Sequence, residues 1–365
     1  MRQILFYIGL LGFWTSAYPM VSLIEPSYGR LGKQHHLRGV YKRTQVKEAF
    51  TSNLRTIGEL SNLCTATLIG PKHLLTAAHC VYNQQIGLWQ NNLDFIPAKV
   101  NTTHIPFGRY EWSAVYAPSR FIEGDLDPVY DYAVVELEES IGNEIGWAGV
   151  RAISEKEDIK LIRMTGYPGD KPRGTMWTVA CPAGVEDNKV IYQCDTFAGM
   201  SGSGIFTYDD ESNESGHIVG VHSYGGIDSN GGVSVNPERL SIISSWVKGK
   251  VPEGTIKHHN EEVLSYYKLY AVNNCKETID SYFSFLNFTT GFWTIDGQIT
   301  LIPGLRSLIG RTPNTFYYLW GESYERLWDG ENLISYSFKN IPMIESRVEL
   351  KDWNTWTHHL NCDQN

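Results

Sequence analysis

Acyl transfer by a serine hydroxyl needs four parts: the hydroxyl, a base within hydrogen-bond reach, a carboxylate that orients the base, and donors for the oxyanion. The sequence offers residues for each. His79 lies in LLTAAHCV, where an apolar stretch ends in small residues and an imidazole emerges beside Cys80. It is the candidate base. Asp131 opens YDYAVVEL, an acid preceding an alternating apolar run that would bury its neighbours. There it would fix the tautomer of the imidazole and stabilise its protonated form. Asp125 and Asp127, in the Pro-containing loop just before, read as solvated turn residues, and either is a fallback. Ser201 sits in FAGMSGSGIF, where Gly199 and Gly202 give the backbone freedom to aim its amides at one point. The amides of Gly199 and Ser201 are the candidate oxyanion hole. The order His, Asp, Ser, with about 70 residues between Asp131 and Ser201, separates this set from a flexible Ser/Gly turn.

Short β-rich segments must position these residues. CTATLIG, DYAVVEL, IRMTGYPG, TMWTVAC, VIYQCDTF and HIVGVHSYGG are broken by turn signals, the pattern of an all-β barrel or sandwich. PERLSIISSWVK follows, with Leu240, Ile243 and Val247 at helical spacing, so a helix is expected to close the β-rich part. The polar stretch 248–260 reads as a linker. Beyond it the chain is β-like again and rich in Trp and Tyr, in FSFLNF, GFWTI, TFYYLW and LISYSF. These rings would either form a core of their own or anchor a surface ligand.

At 365 residues the chain exceeds one ordinary domain. The boundaries expected are a signal peptide over 1–17, a removable propeptide over 18–45, a catalytic domain over 46–250 and a β-rich C-terminal domain of unknown role over 261–365. Arg2, the apolar run Ile4–Trp14 and the small residues Thr15, Ser16 and Ala17 suggest export. No later stretch approaches the ~20 consecutive apolar residues of a membrane helix, so no membrane partner is expected. A net charge of -9, with no Lys/Arg run interleaved with aromatics, argues against nucleic acid. Six cysteines fall into three local pairs, Cys64 with Cys80, Cys181 with Cys194 and Cys275 with Cys362, which suits an oxidising compartment. No CxxC or clustered His/Cys spacing supports a metal, and no cofactor is expected. Asn101, Asn213 and Asn287 open sequons that would permit glycosylation.

From about 43 to 247 the chain resembles the secreted glutamyl endopeptidases, a branch of the chymotrypsin-fold enzymes. The resemblance is carried by CTATLIGPKHLLTAAHCVY, YDYAVVELEESIGNEIGW, TGYPGDKPRGTMW, DTFAGMSGSGIF and GVHSYGG followed by NGG. It implies a double β-barrel with a C-terminal helix, serine endopeptidase activity on protein or peptide substrates, and a primary pocket for Glu. The matching pocket positions are Thr196 and His222, with Ser223, Tyr224 and Gly225 following. Burying a substrate carboxylate is costly unless it is paired and hydrogen-bonded, and an imidazole with hydroxyl donors could do both.

Asp195, six residues before Ser201, is the competing pocket residue, at the offset that basic-specific relatives use for Lys or Arg. The Bacillus-type glutamyl enzymes also look to carry Asp there. Ala198, Met200, Gly204 and Ile205 depart from the family pattern, and changes there would be expected to alter the substrate groove. The Cys181–Cys194 pair is not matched to the family pattern and rests on local spacing alone. A non-catalytic protein, with the β-rich part as scaffold and the aromatic module binding a surface, is the reading from another class.

Overall fold

The computed structural model describes residues 41–362 except 156, 158, 208–215, 227, 261–265, 289, 325, 337–338 and 348–354. They belong to one compact unit, Lys33–Asn365. The expected signal peptide, the expected propeptide up to residue 40 and the sequon at Asn213 lie outside the described residues.

Two antiparallel sheets build the part of the chain up to residue 259. The first has seven strands in the order Thr255–His259, Trp112–Pro118, Ala133–Leu137, His73–Thr76, Thr65–Leu68, Ile57–Leu60, Phe95–Pro97. The second has eight, in the order Thr44–Gln45, Trp177–Cys181, Ile162–Gly166, Gly204–Thr207, His217–Tyr224, Asn230–Ser234, Lys189–Tyr192, Ala183–Glu186. This is the all-β, chymotrypsin-like double barrel that the resemblance implied.

Three buried clusters explain why the strands carry near-continuous apolar runs. Ala133, Val135 and Leu137 enter the core of the first barrel with Leu74, Phe95 and Trp112. Ile162, Met164, Val179, Val190 and Ile205 fill the second. A third cluster forms the seam, where Leu75, Tyr116 and Val134 from one sheet meet Ile218, Val221 and Val233 from the other. Strands buried on both faces have no polar side to alternate with. The helix Pro237–Val247 is capped by Asn236, whose side chain accepts from the Arg239 amide, and it presses Ile243 and Trp246 into the same seam.

The expected linker over 248–260 is only partly one. Its residues Thr255–His259 form the edge strand of the first sheet, in register with Pro118 back to Ala114. The period-two signal is weak there because four of the five residues are only half-buried. Beyond it stand a three-stranded sheet, whose strand Tyr267–Asn273 lies between Arg306–Thr312 and the parallel Thr355–Leu360, and a six-stranded sheet built around Ile279–Leu286 and Phe316–Glu322. Phe283, Phe285, Tyr317 and Trp328 enter this module's core together with Ile96 and Ile105 of the first barrel. Phe292, Trp293 and Tyr324 stay exposed, so the aromatic content divides between core and surface. All three expected cysteine pairs are bonded. No helix among the described residues is long and apolar enough to cross a membrane.

Candidate active site

His79 lies in a short helix, Ala78–Val81, that follows the buried strand His73–Thr76. Its neighbour Cys80 is bonded to Cys64, the residue before strand Thr65–Leu68, so the turn carrying the imidazole is tied to the adjacent strand. Asp131 grips His79 at two points. One carboxylate oxygen accepts the His79 backbone N–H at 2.8 Å and the other contacts Nδ1 at 2.7 Å. The Asp131 side chain keeps 11% of its exposure, while that of His79 keeps 37%. Burial disfavours the imidazolium, but the charge of Asp131 and its hydrogen bond outweigh this, and the His79 pKa is raised above its ordinary value.

Asp125 and Asp127 are engaged in their own loop. Asp125 pairs with Arg120 at 2.8 Å and accepts the Asp127 amide, and Asp127 caps the helical turn Pro128–Tyr130.

The loop around Ser201 turns through two glycines in the left-handed region, Gly199 at φ 98° and Gly202 at φ 84°. A Cβ on Gly199 would lie 2.3 Å from the Tyr167 carbonyl, and one on Gly202 would lie 2.2 Å from the Thr65 carbonyl, so both positions require glycine. The peptide planes that bear the Gly199 and Ser201 amides are held from their carbonyl ends. The Ala198 carbonyl accepts from the Gly169 amide at 2.8 Å, and the Met200 carbonyl accepts from the Ser203 amide at 2.9 Å. Because each peptide is planar and trans, fixing the carbonyl fixes the N–H on the opposite side.

Thr65 carries out a task its sequence context did not disclose. Its hydroxyl donates to the Gly199 carbonyl at 2.8 Å and accepts the Tyr167 amide at 3.1 Å, while its own amide donates to the Ser201 carbonyl at 2.9 Å. Thr65 therefore joins the first barrel to the nucleophile loop of the second. Gly202 packs against Thr76 and Ala77, which places that loop beside the turn bearing His79.

His222 is joined to the same loop. The Gly202 amide donates to the His222 carbonyl, and the His222 amide donates to the Ser203 carbonyl, each at 2.9 Å. Its imidazole is 4% exposed, with Nδ1 2.6 Å from the Tyr192 hydroxyl. Burial, and then the nearby charge of His79, lower its pKa to about 4, so the ring is neutral at neutral pH. Thr196 is buried at 3%. Ser223 is also buried and donates to the Asp131 carbonyl at 3.3 Å. Tyr224 is half-buried across from Gly231, and Gly225 is exposed just beyond the end of the strand.

Two of the departures expected to reshape the groove do something else. Met200 and Ile205 are fully buried in the core of the second barrel. They are packing residues of that core. Among the described residues, Cys64, His79 and Cys80 come close enough to share an ion, but the two sulfurs are bonded to each other at 2.03 Å and neither is a thiolate.

Residues 39–247 match the trypsin family, more than half of the chain. The chain belongs to the trypsin family. Two curated relatives and one solved structure are similar to it. The glutamyl endopeptidase of Bacillus licheniformis is 32% identical over 213 residues, covering 56% of this chain and 66% of the relative. A protein named extracellular metalloprotease from Bacillus subtilis is 32% identical over 185 residues, covering 50% and 58%. The chain thus spans less than two-thirds of either of these relatives. The structure of a Glu endopeptidase in complex with MPD shares 28% identity at a TM-score of 0.51, covering 57% of this chain and 97% of that one. The first and the last of these matches support the likeness to glutamyl endopeptidases within the trypsin family.

Proposed function

We propose that the protein is an exported serine endopeptidase that hydrolyses peptide bonds after Glu. Ser201 attacks the carbonyl, His79 takes its proton and passes it to the leaving amine, and Asp131 holds the imidazole. The amides of Gly199 and Ser201 receive the oxyanion, and water then releases the acyl group. The observation that carries this reading is the two-point grip of Asp131 on His79, backbone and ring together.

The preference for Glu is supported by His222, a buried neutral imidazole one hydrogen-bonded step from the nucleophile loop, with Thr196 as a hydroxyl donor and Ser223, whose hydroxyl bonds the Asp131 carbonyl, tying the pocket strand to the acid. Tyr224 and Gly225 would form the outer edge of the pocket. A substrate carboxylate entering beside a neutral imidazole either raises its pKa and is met by an imidazolium or is held by neutral donors. Both favour Glu over Lys or Arg. Cleavage after basic residues would instead require the Asp195 carboxylate to be open to substrate, and it is paired with Arg43 at 2.9 Å. Digesting an unstructured protein and sequencing the new termini tests the proposal. Termini following Glu are expected; termini following Lys or Arg would overturn the pocket assignment.

A further inference from the structure

Arg43 falls in the stretch that the sequence assigned to a removable propeptide, yet its side chain is only 4% exposed. Nε donates to Asp195 at 2.9 Å, Nη1 to Asp170 at 2.7 Å, and Nη2 to Asp170 at 2.8 Å and Asp195 at 3.4 Å. The backbone on either side is docked as well. The Asp195 amide donates to the Tyr41 carbonyl, Tyr41 bridges Cys194, Thr44 and Gln45 pair with Thr178 and Trp177, and the Val46 amide donates to the Met176 carbonyl.

The two acids belong to the site. Asp195 adjoins the buried Thr196, and the carbonyl before it, on Cys194, accepts from the Asn230 side chain at 2.7 Å, which ties this wall to the strand beside His222. Asp170 follows Gly169, whose amide orients the peptide bearing the Gly199 N–H. The guanidinium uses its donors on these two carboxylates, so it is placed to neutralise them and not to hold a substrate carboxylate itself. Two acids and one guanidinium leave a single net negative charge at this wall. Without Arg43 there would be two, next to Thr196, in a part-buried setting where charges act strongly.

We infer that Arg43 is a specificity-determining positioning residue: by occupying Asp195 and Asp170 it prevents the pocket wall from receiving a cationic side chain, and the segment from Arg43 onward therefore remains attached in the working enzyme. This rests on the glutamyl reading and adds to it the residue that suppresses the basic alternative.

The test uses the processed full-length enzyme and three peptides that differ only in having Glu, Gln or Lys before the scissile bond. In Arg43→Gln the ratio of kcat/KM for Glu over Lys is expected to fall roughly tenfold or more, the order of effect of one added charge a few ångströms away in a part-buried site. Arg43→Lys keeps the charge and should preserve most of the ratio, and adding Asp195→Asn to Arg43→Gln should restore it. Labelling by a fluorophosphonate reports whether each variant retains a working nucleophile. A normally labelled Arg43→Gln with an unchanged ratio overturns the inference. If that variant does not fold, Asp195→Asn alone decides: with the wall carboxylate removed the ratio of kcat/KM for Glu over Lys is expected to rise, and a ratio that stays the same or falls overturns the inference. N-terminal sequencing of the active enzyme is an independent reading, since a chain beginning after Arg43 contradicts the inference. If the unaltered enzyme does not cleave after Glu, the glutamyl reading fails first. If it does and the Arg43 variants match it, only the role of Arg43 fails.

Discussion

Asp131 acts on His79 through both of its oxygens, and this sets how the activity should depend on pH. His79 must be neutral to accept the Ser201 proton, and its pKa is raised because the Asp131 charge outweighs burial. The low-pH limb of kcat/KM should therefore lie above the ordinary histidine value of about 6.5. Asp131→Asn removes that charge. It should move the limb to lower pH and reduce kcat by several orders of magnitude, of the ~10⁴-fold size seen when a triad carboxylate becomes an amide. A pH–rate profile of the variant checks this, and an unmoved limb would count against the pairing. At this scale the sequence made the pairing of His79 with Asp131 legible, because a chemical group and its spacing coincide there. It was silent about Thr65 and Arg43. A hydroxyl in CTATL and a basic residue in a polar arm carry no local mark of their partners, which lie 134 and 152 residues away.

Among the elements, strand Thr255–His259 shows how a linker-like composition can conceal structure. KGKVPEGTIKHH has turn residues and little apolar content, but an edge strand needs only one covered face and a free neighbouring strand to pair with. Lys257, in the middle of that strand, stands 3.3 Å from Glu136 on the second strand in from it and over the ring of Tyr116. Burial raises the Glu136 pKa, but hydrogen bonds from Lys72 and Tyr116 and the charges of Lys72 and Lys257 overcome this and bring it down to about 2. A carboxyl so depressed contributes stability that is present above its unfolded pKa and lost as the pH falls through the folded one. Lys257→Ala should thus lower stability at neutral pH by about 1 kcal/mol or less, given the pair's partial exposure. The difference from the unaltered protein should shrink as the pH drops from about 4.5 toward about 2. Thermal denaturation across that range measures it, and a constant difference would remove Glu136 from the account. The barrel strands, by contrast, were legible because burial on two faces forces near-continuous apolar runs, and the closing helix because Leu240, Ile243 and Val247 pack into the seam at helical spacing.

Across the whole molecule, the module after the catalytic half is joined to the first barrel by buried charge as well as apolar contact. Arg311 pairs with Asp94 at 2.7 Å and Glu111 at 3.1 Å, Lys268 reaches Glu111 at 3.1 Å, and the Tyr270 hydroxyl also bonds Glu111. Arg306 adds Glu138 and Glu139 at the rim. Burial works against the Arg311 guanidinium, but the two acids hold its pKa above the ordinary value. Sequence alone separated this module cleanly from the barrel, because ion pairs between residues some 200 positions apart leave no periodic trace. Thr65 of the first barrel and His222 of the second hold the nucleophile loop from two sides, and we propose that this frame activates Ser201. Treating the folded protein with a fluorophosphonate and mapping the adduct by mass spectrometry tests that claim most directly. The account predicts one covalent adduct, on the peptide containing Ser201, lost in Ser201→Ala together with nearly all peptidase activity. A folded protein that stays unlabelled, or a Ser201→Ala variant that cleaves as well as the unaltered enzyme, would contradict it.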